Sequence, residues 1–136
     1  MRKIVLISHG KFADGILDTI SMFLGEHHNF VPISAYTDEV NPQEELKKFF
    51  DDVKEDEEVI ICSDILGGSV CQYTLPYMKY ENVFLIAGFN FPLLLELAVI
   101  PDDEKLSYEV LDNKIQKAKE SIILMNTYDF TSDFDE

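Results

Sequence analysis

"EVIICSD", residues 58–64, is an uninterrupted apolar run from Val59 to Cys62, opened by one acid and closed by Ser63 and a second acid, Asp64. A strand with one solvated face would alternate apolar and polar residues. This run does not alternate, so it fits a strand buried on both faces, at the centre of a mostly parallel sheet covered by helices.

Working outward, runs of strand length alternate with helical patterns, which is the signature of an α/β domain. Residues 3–8 form the first run. Phe12, Ile16, Ile20 and Phe23, with Ala13, Leu17 and Leu24 beside them, mark a helical stripe closed by Gly25 at the C′ position. "FVPISAY", residues 30–36, reads as a strand, and Pro32, which lacks an N–H for the ladder, puts it at an edge. Asn41, Pro42 and Glu44 start the second helix, with Leu46, Phe49, Phe50 and Val53 on its buried face. After "ILGGS" a third helix is expected to carry Val70, Thr74, Leu75 and Met78 on one side. "NVFLIAG", residues 82–88, is a fourth strand, and a helix follows from "NFPLLLELAV". A last helix is expected over about 109–124, through Val110, Leu111, Ile115, Ala118, Ile122 and Ile123. Residues 125–136 are an acidic tail, read as an edge strand or as disordered; periodicity leaves both open.

The chain has 136 residues, of which 46% are hydrophobic, enough for one domain with one core. No apolar stretch approaches the roughly 20 residues of a membrane span, and no signal peptide is evident, so a cytoplasmic protein is expected. Acidic residues outnumber basic ones 26 to 11, for a net charge of −15. That balance argues against nucleic acid or an anionic membrane as partner and favours a partner with a basic patch. Most of the acidity is read as a solvated face. Cys62 and Cys71 have neither metal nor redox spacing and read as small buried hydrophobes. His27 and His28, in a polar turn after Gly25, read as solvent-exposed.

In open parallel sheets the ligand crevice lies beyond the carboxyl ends of the strands. Here those ends carry Ser8-His9-Gly10, Ser63-Asp64 and Gly88-Phe89-Asn90. If the first and third strands are neighbours, His9 and Asp64 share the crevice. A carboxylate that accepts one ring N–H fixes the imidazole tautomer and leaves the other nitrogen as a positioned nucleophile. Gly10 lets the backbone beside His9 turn into the first helix. Gly67 and Gly68 allow close backbone approach in the loop after Asp64, and Ser69 suits the N-cap of the helix that follows. This loop is either a plain strand-to-helix turn or, beside a His–Asp pair, a cradle for an anion such as a phosphoryl group. No P-loop or dinucleotide-binding fingerprint is present, and no metal-ligand spacing.

"SHGKFADGILDT…LGE" at residues 8–26, "SDILGGS" at 63–69 and "GFNFPLLLEL" at 88–97 together resemble the IIA domain of the mannose (mannose/fructose/sorbose) family of the bacterial phosphoenolpyruvate-dependent sugar phosphotransferase system, over residues 1–124. The resemblance implies a doubly wound sheet of order 2-1-3-4 with helices on both faces, in a homodimer whose sheet is extended by a strand exchanged between subunits. It implies that His9 takes a phosphoryl group from the phosphocarrier HPr and passes it to a IIB component, without metal or cofactor. Asp64 would hold Nδ1 of His9 so that Nε2 carries phosphate. Ser69, with Gly10, Gly67 and Gly68, would serve the phosphoryl oxygens. Val70 stands where the family usually has Pro.

Other readings compete. A phosphotransferase subunit serving dihydroxyacetone kinase would use the same His9. So would a purely regulatory copy whose phosphorylation state is read by a partner. A receiver domain would use Asp64 as acceptor but needs an acidic pair after the first strand, where this chain has Ser8-His9. A phosphatase of the Arg-His-Gly type would need an arginine at Ser8.

Overall fold

Val59–Ser63 forms β3, and all five of its residues are buried. In the computed structural model, which describes residues 2–26 and 28–131, β3 lies between β1 (Lys3–His9) and β4 (Val83–Ala87). β2 (Phe30–Ala35) flanks β1 on the other side. The order is β2-β1-β3-β4 and every pairing is parallel. Pro32 therefore sits on an edge strand, where a missing N–H is tolerated.

Successive residues of a strand point to opposite faces, and the two central strands divide their side chains accordingly. Ile4, Leu6, Ile60 and Cys62 pack with Ala13 and Ile20 of α1 (Phe12–Leu24), Leu93, Leu94 and Leu97 of α4 (Phe91–Ala98), and Leu111 and Ala118 of α5 (Tyr108–Glu120). Val5, Ile7, Val59 and Ile61 pack on the other face with Leu46 of α2 (Pro42–Asp51) and Val70 of α3 (Ser69–Thr74). This is the doubly wound arrangement that the uninterrupted apolar strands require. Asn41 caps α2 by accepting from the N–H groups of Gln43 and Glu44, at 3.0 and 3.3 Å. Cys62 and Cys71 are buried free thiols, as expected.

Several local expectations are corrected. The third helix is only six residues long and tightens into a 3₁₀ turn over Leu75–Lys79. Pro76 has no N–H to offer the Gln72 carbonyl, which takes the Leu75 N–H instead. With about three residues per turn, Leu75 and Met78 fall on one face, and that face is exposed. α5 ends at Glu120, because the Ala118 carbonyl that Ile122 would need is occupied. It accepts from the Ser121 N–H at 3.2 Å, the Ser121 hydroxyl at 2.6 Å and Asn90 Nδ2 at 3.1 Å. Ile122 and Ile123 are consequently exposed. Phe12, Phe23 and Leu24 overhang the sheet at the ends of α1 and are also exposed, Phe12 stacking on Phe89.

His28 is half-buried rather than solvated: Nδ1 accepts from the Phe30 N–H at 3.2 Å and Nε2 lies 3.3 Å from Ser21 Oγ. His27 lies outside the described residues. In the tail, Met125–Thr127 makes one 3₁₀ turn and no strand forms among the described residues up to 131; residues 132–136 lie outside them.

Candidate functional site

The turn that presents His9 is built by its two neighbours. The Ser8 hydroxyl accepts from the Ala13 N–H at 2.7 Å and donates to the Gly10 carbonyl at 3.3 Å, stapling the end of β1 to the first turn of α1. Gly10 has φ +61°, a left-handed conformation that a residue with a Cβ adopts only at a cost. The chain therefore leaves the sheet immediately after His9, whose side chain remains 44% exposed at the strand end.

Because β3 is the neighbour of β1, Asp64 meets His9 there. One carboxylate oxygen, Oδ2, accepts both the His9 backbone N–H at 2.8 Å and the ring at Nδ1, at 2.9 Å. Partial burial pushes the Asp64 carboxyl up, but the two N–H groups and charge of His9, with the Ile65 N–H, outweigh it and hold the pKa below the ordinary value. An ionised carboxylate only accepts, so the bound ring nitrogen is the protonated one. In the neutral ring Nε2 is then the unprotonated nitrogen, and it points away from Asp64.

The loop after Asp64 closes on that nitrogen. Ser69 Oγ lies 3.4 Å from Nε2. Ser69 is not the N-cap expected of it: Gly68 occupies that position, and Ser69 is the first helical residue with its hydroxyl free to face His9. A Cβ on Gly68 would sit 3.3 Å from His9 Cε1 and 3.0 Å from Ile65 Cγ2, so the absent side chain is what lets the loop lie against the imidazole. Gly67 has φ +79° and nothing within 4 Å of a built Cβ; like Gly10 it serves the turn and does not touch the ring. His9, Asp64, Ser69 and Gly68 are thus brought together, with Gly10 and Gly67 shaping the two loops that carry them.

Tyr36 also belongs to this cluster and was not among the residues singled out above. It follows β2, its hydroxyl lies 2.8 Å from Ser69 Oγ, and its ring stands 5.7 Å from that of His9. The strand-end argument applied to β2, the other neighbour of β1, would have found it. The rim carries exposed Phe12, Ile65 and Leu66. Grooves of about 690 and 390 Å³, along β4 and beside Tyr77, lie away from His9. Among the described residues, no three His, Cys, Asp or Glu side chains cluster as metal ligands. No helix among them is long and apolar enough to cross a membrane.

Fold and site together define a parallel α/β domain with a carboxylate-oriented imidazole at the carboxyl ends of its central strands, a constellation suited to nucleophilic group transfer at one ring nitrogen. The family model for the PTS system fructose IIA component matches residues 3–123, and the chain belongs to this family of sugar phosphotransferase components. It is 26% identical over 100 residues to the PTS system fructose-specific EIIA component of Bacillus subtilis, covering 71% of this chain and 68% of that protein. It is also similar to the PTS IIA protein associated with the fucose utilization operon of Streptococcus pneumoniae (TM-score 0.76, 29% identity, 92% and 93% of the two chains covered). The mannose/sorbose specific IIA subunit from Enterococcus faecalis shares the fold (TM-score 0.74, 23% identity, 94% and 95% covered).

Proposed function

We propose that His9 is the transient phosphoryl carrier of this IIA component, charged by phospho-HPr and discharged to a IIB component in the cytoplasm. The observation that carries the reading is the Nδ1–Asp64 contact of 2.9 Å at an imidazole that is still 44% exposed. It supports a fixed tautomer, with Nδ1–H on Asp64, so that the lone pair of the neutral ring lies on Nε2 and faces an incoming phosphorus atom. In the transfer a bond forms from Nε2 to phosphorus as the bond from phosphorus to the donor's ring nitrogen breaks, and that electron pair stays with the donor imidazole. Asp64 stabilises the positive charge that develops on the His9 ring. Ser69 and the N–H groups of the 67–69 loop serve the phosphoryl oxygens. His9 stands on an open rim with exposed Phe12, Ile65 and Leu66 around it, which suits a protein surface as donor and acceptor better than a small substrate.

The assembly we infer is a homodimer joined along β4, the edge of the sheet opposite β2. The half-buried Phe84 and Leu85 of that strand and the exposed Ile122–Met125 stretch support it.

The test is incubation with labelled phosphoenolpyruvate, Enzyme I and HPr, followed by mapping of the label. Acid-labile, alkali-stable label on His9 that is lost in His9→Ala is the expected result. Absence of label on the wild-type protein refutes the proposal.

A further inference from the structure

The residue that follows β2 is held in an unfavourable conformation. Tyr36 has φ 64°, in the left-handed region, where a bulky aromatic residue is an outlier that its surroundings must maintain. Burial does not maintain it, because Tyr36 is 54% exposed. The turn is held instead by the Thr37 hydroxyl, which donates to the Ser34 carbonyl at 2.7 Å. The Tyr36 hydroxyl lies 2.8 Å from Ser69 Oγ and 3.3 Å from the hydroxyl of Tyr73. Ser69 and Tyr73 are four residues apart on α3, so their side chains lie on one helical face and meet the same phenol. The contacts with Ser69 and Tyr73 lower the Tyr36 phenol below its ordinary pKa, and the contact with Tyr36 raises that of Tyr73.

Ser69 has a single hydroxyl proton and a freely rotating O–H, and its Oγ is 3.4 Å from His9 Nε2. Left alone, that proton would distribute among several acceptors. The one Tyr36 proton has two acceptors, Ser69 Oγ at 2.8 Å and the Tyr73 hydroxyl at 3.3 Å; given to the nearer, it turns the serine proton away from the phenol and toward His9. There it meets the Nε2 lone pair, or an oxygen of a phosphoryl group attached to Nε2.

We propose that Tyr36 is a positioning residue for group transfer at His9, acting through Ser69 by fixing the direction of the serine O–H. The inference rests on the reading of His9 as phosphoryl acceptor. It adds a contribution from the β2 end, so that strands β1, β2 and β3 and the start of α3 all converge on one imidazole. A donor aimed in advance costs no reorientation at the moment of transfer.

The test is a cycle of Tyr36→Phe, Ser69→Ala and the double variant. Tyr36→Phe keeps the ring beside His9 and removes only the hydroxyl; Ser69→Ala removes its partner and leaves the Tyr36 turn untouched. Each single variant is expected to slow initial labelling by phospho-HPr about tenfold, with the final extent of labelling on His9 and the melting temperature unchanged. The double variant should be no slower than Ser69→Ala, because Tyr36 acts only through the serine. Wild-type rates in Tyr36→Phe, or a double variant slowed by the product of the two single effects, overturn the proposal. The ¹⁵N resonance of His9 Nε2 is read in the unphosphorylated proteins, and Tyr36→Phe and Ser69→Ala should displace it alike. If wild-type protein takes no label, the reading of His9 as acceptor fails on its own. The ¹⁵N comparison still decides Tyr36: no displacement in Tyr36→Phe overturns its action on Ser69.

Discussion

Gly67 and Gly68 are adjacent, yet alanine at each should damage a different property. Gly68 has φ −73° and ψ 168°, extended backbone that any residue adopts, so Gly68→Ala carries little conformational penalty. What it adds is a methyl group 3.0 Å from Ile65 Cγ2 and 3.3 Å from His9 Cε1. Ile65 is 57% exposed and can swing outward. The imidazole cannot follow freely, because Asp64 holds Nδ1 at 2.9 Å, so the ring yields a few tenths of an ångström at the expense of that bond. Overpacking a closed core costs about 1–3 kcal/mol; with one mobile neighbour Gly68→Ala should cost about 1 kcal/mol or less. Labelling should nevertheless slow by about tenfold or more, since small misplacements of a reacting group are amplified in rate. Gly67→Ala is the converse. Its φ of +79° imposes about 1–2 kcal/mol on a residue with a Cβ, while no heavy atom lies within 4 Å of that Cβ. It should lower the melting temperature by about 3–6 °C and leave the labelling rate per folded molecule near wild type. Urea denaturation followed by circular dichroism, beside initial rates of phosphoryl uptake, separates the two. Wild-type uptake in Gly68→Ala, or a larger loss of uptake in Gly67→Ala, would refute the assignment of Gly68 as the residue that makes room for the ring.

Asp64→Ala and Asp64→Asn should each slow labelling about a hundredfold or more, because neither side chain offsets the positive ring and an amide NH2 can donate to Nδ1 and put the ring proton on Nε2; initial rates check both. Since the Asp64 pKa is lowered in the fold, its contribution to stability is complete above the unfolded carboxylate pKa, about 3.9, and is lost as pH falls through the lower folded value. The gap in urea midpoint between wild type and Asp64→Asn should accordingly be present at neutral pH and close under strong acid. Burial pushes the Cys62 thiol up to about 12, so iodoacetamide should leave it unmodified at pH 8 until the protein is unfolded, as peptide mapping would show. Asn90 accepts from the Leu93 N–H at 2.9 Å and donates to the Ala118 carbonyl, capping α4 and tying it to α5. Asn90→Ala should cost about 1–2 kcal/mol by chemical denaturation, and a cost within error of zero would remove it as a cap.

The features legible from the sequence were those set by periodicity. Val59–Cys62 announced a strand buried on both faces, Pro32 an edge, and Asn41-Pro42 a helix start, because each constraint is local. The meeting of His9 and Asp64 was legible only conditionally, since it depends on β1 and β3 being neighbours, and order in a sheet is a tertiary fact. What escaped depended on competition for single groups. The end of α5 is decided by the Ala118 carbonyl, claimed by Ser121 and by Asn90 from another helix. No window around residue 120 contains Asn90. Ser69 looked like a cap by residue type, but Gly68 took the capping position and freed the hydroxyl for His9 and Tyr36. Tyr36 was read as the last residue of a strand, which its left-handed φ contradicts.

On the proposed reading of His9 as acceptor, its place at the end of β1 rather than in the more adaptable loop follows from the hydrogen bonds to Asp64. Oδ2 receives the backbone N–H and the ring of the same residue, so His9 is tied to that one atom by two bonds, one from its ring and one from its main chain. A shift of Asp64 therefore moves backbone and ring of His9 together, and the direction of Nε2 relative to β1 is preserved. The Gly67–Gly68 loop can then adjust to a bare or a substituted nitrogen without disturbing the nucleophile's aim. Rigid strands carry the atom that must be aimed, and the loop carries the groups that must accommodate two states. An acceptor on the loop would reverse that division. It would lose both the strand register that sets His9 opposite Ala35 and the neighbouring strand that delivers Asp64.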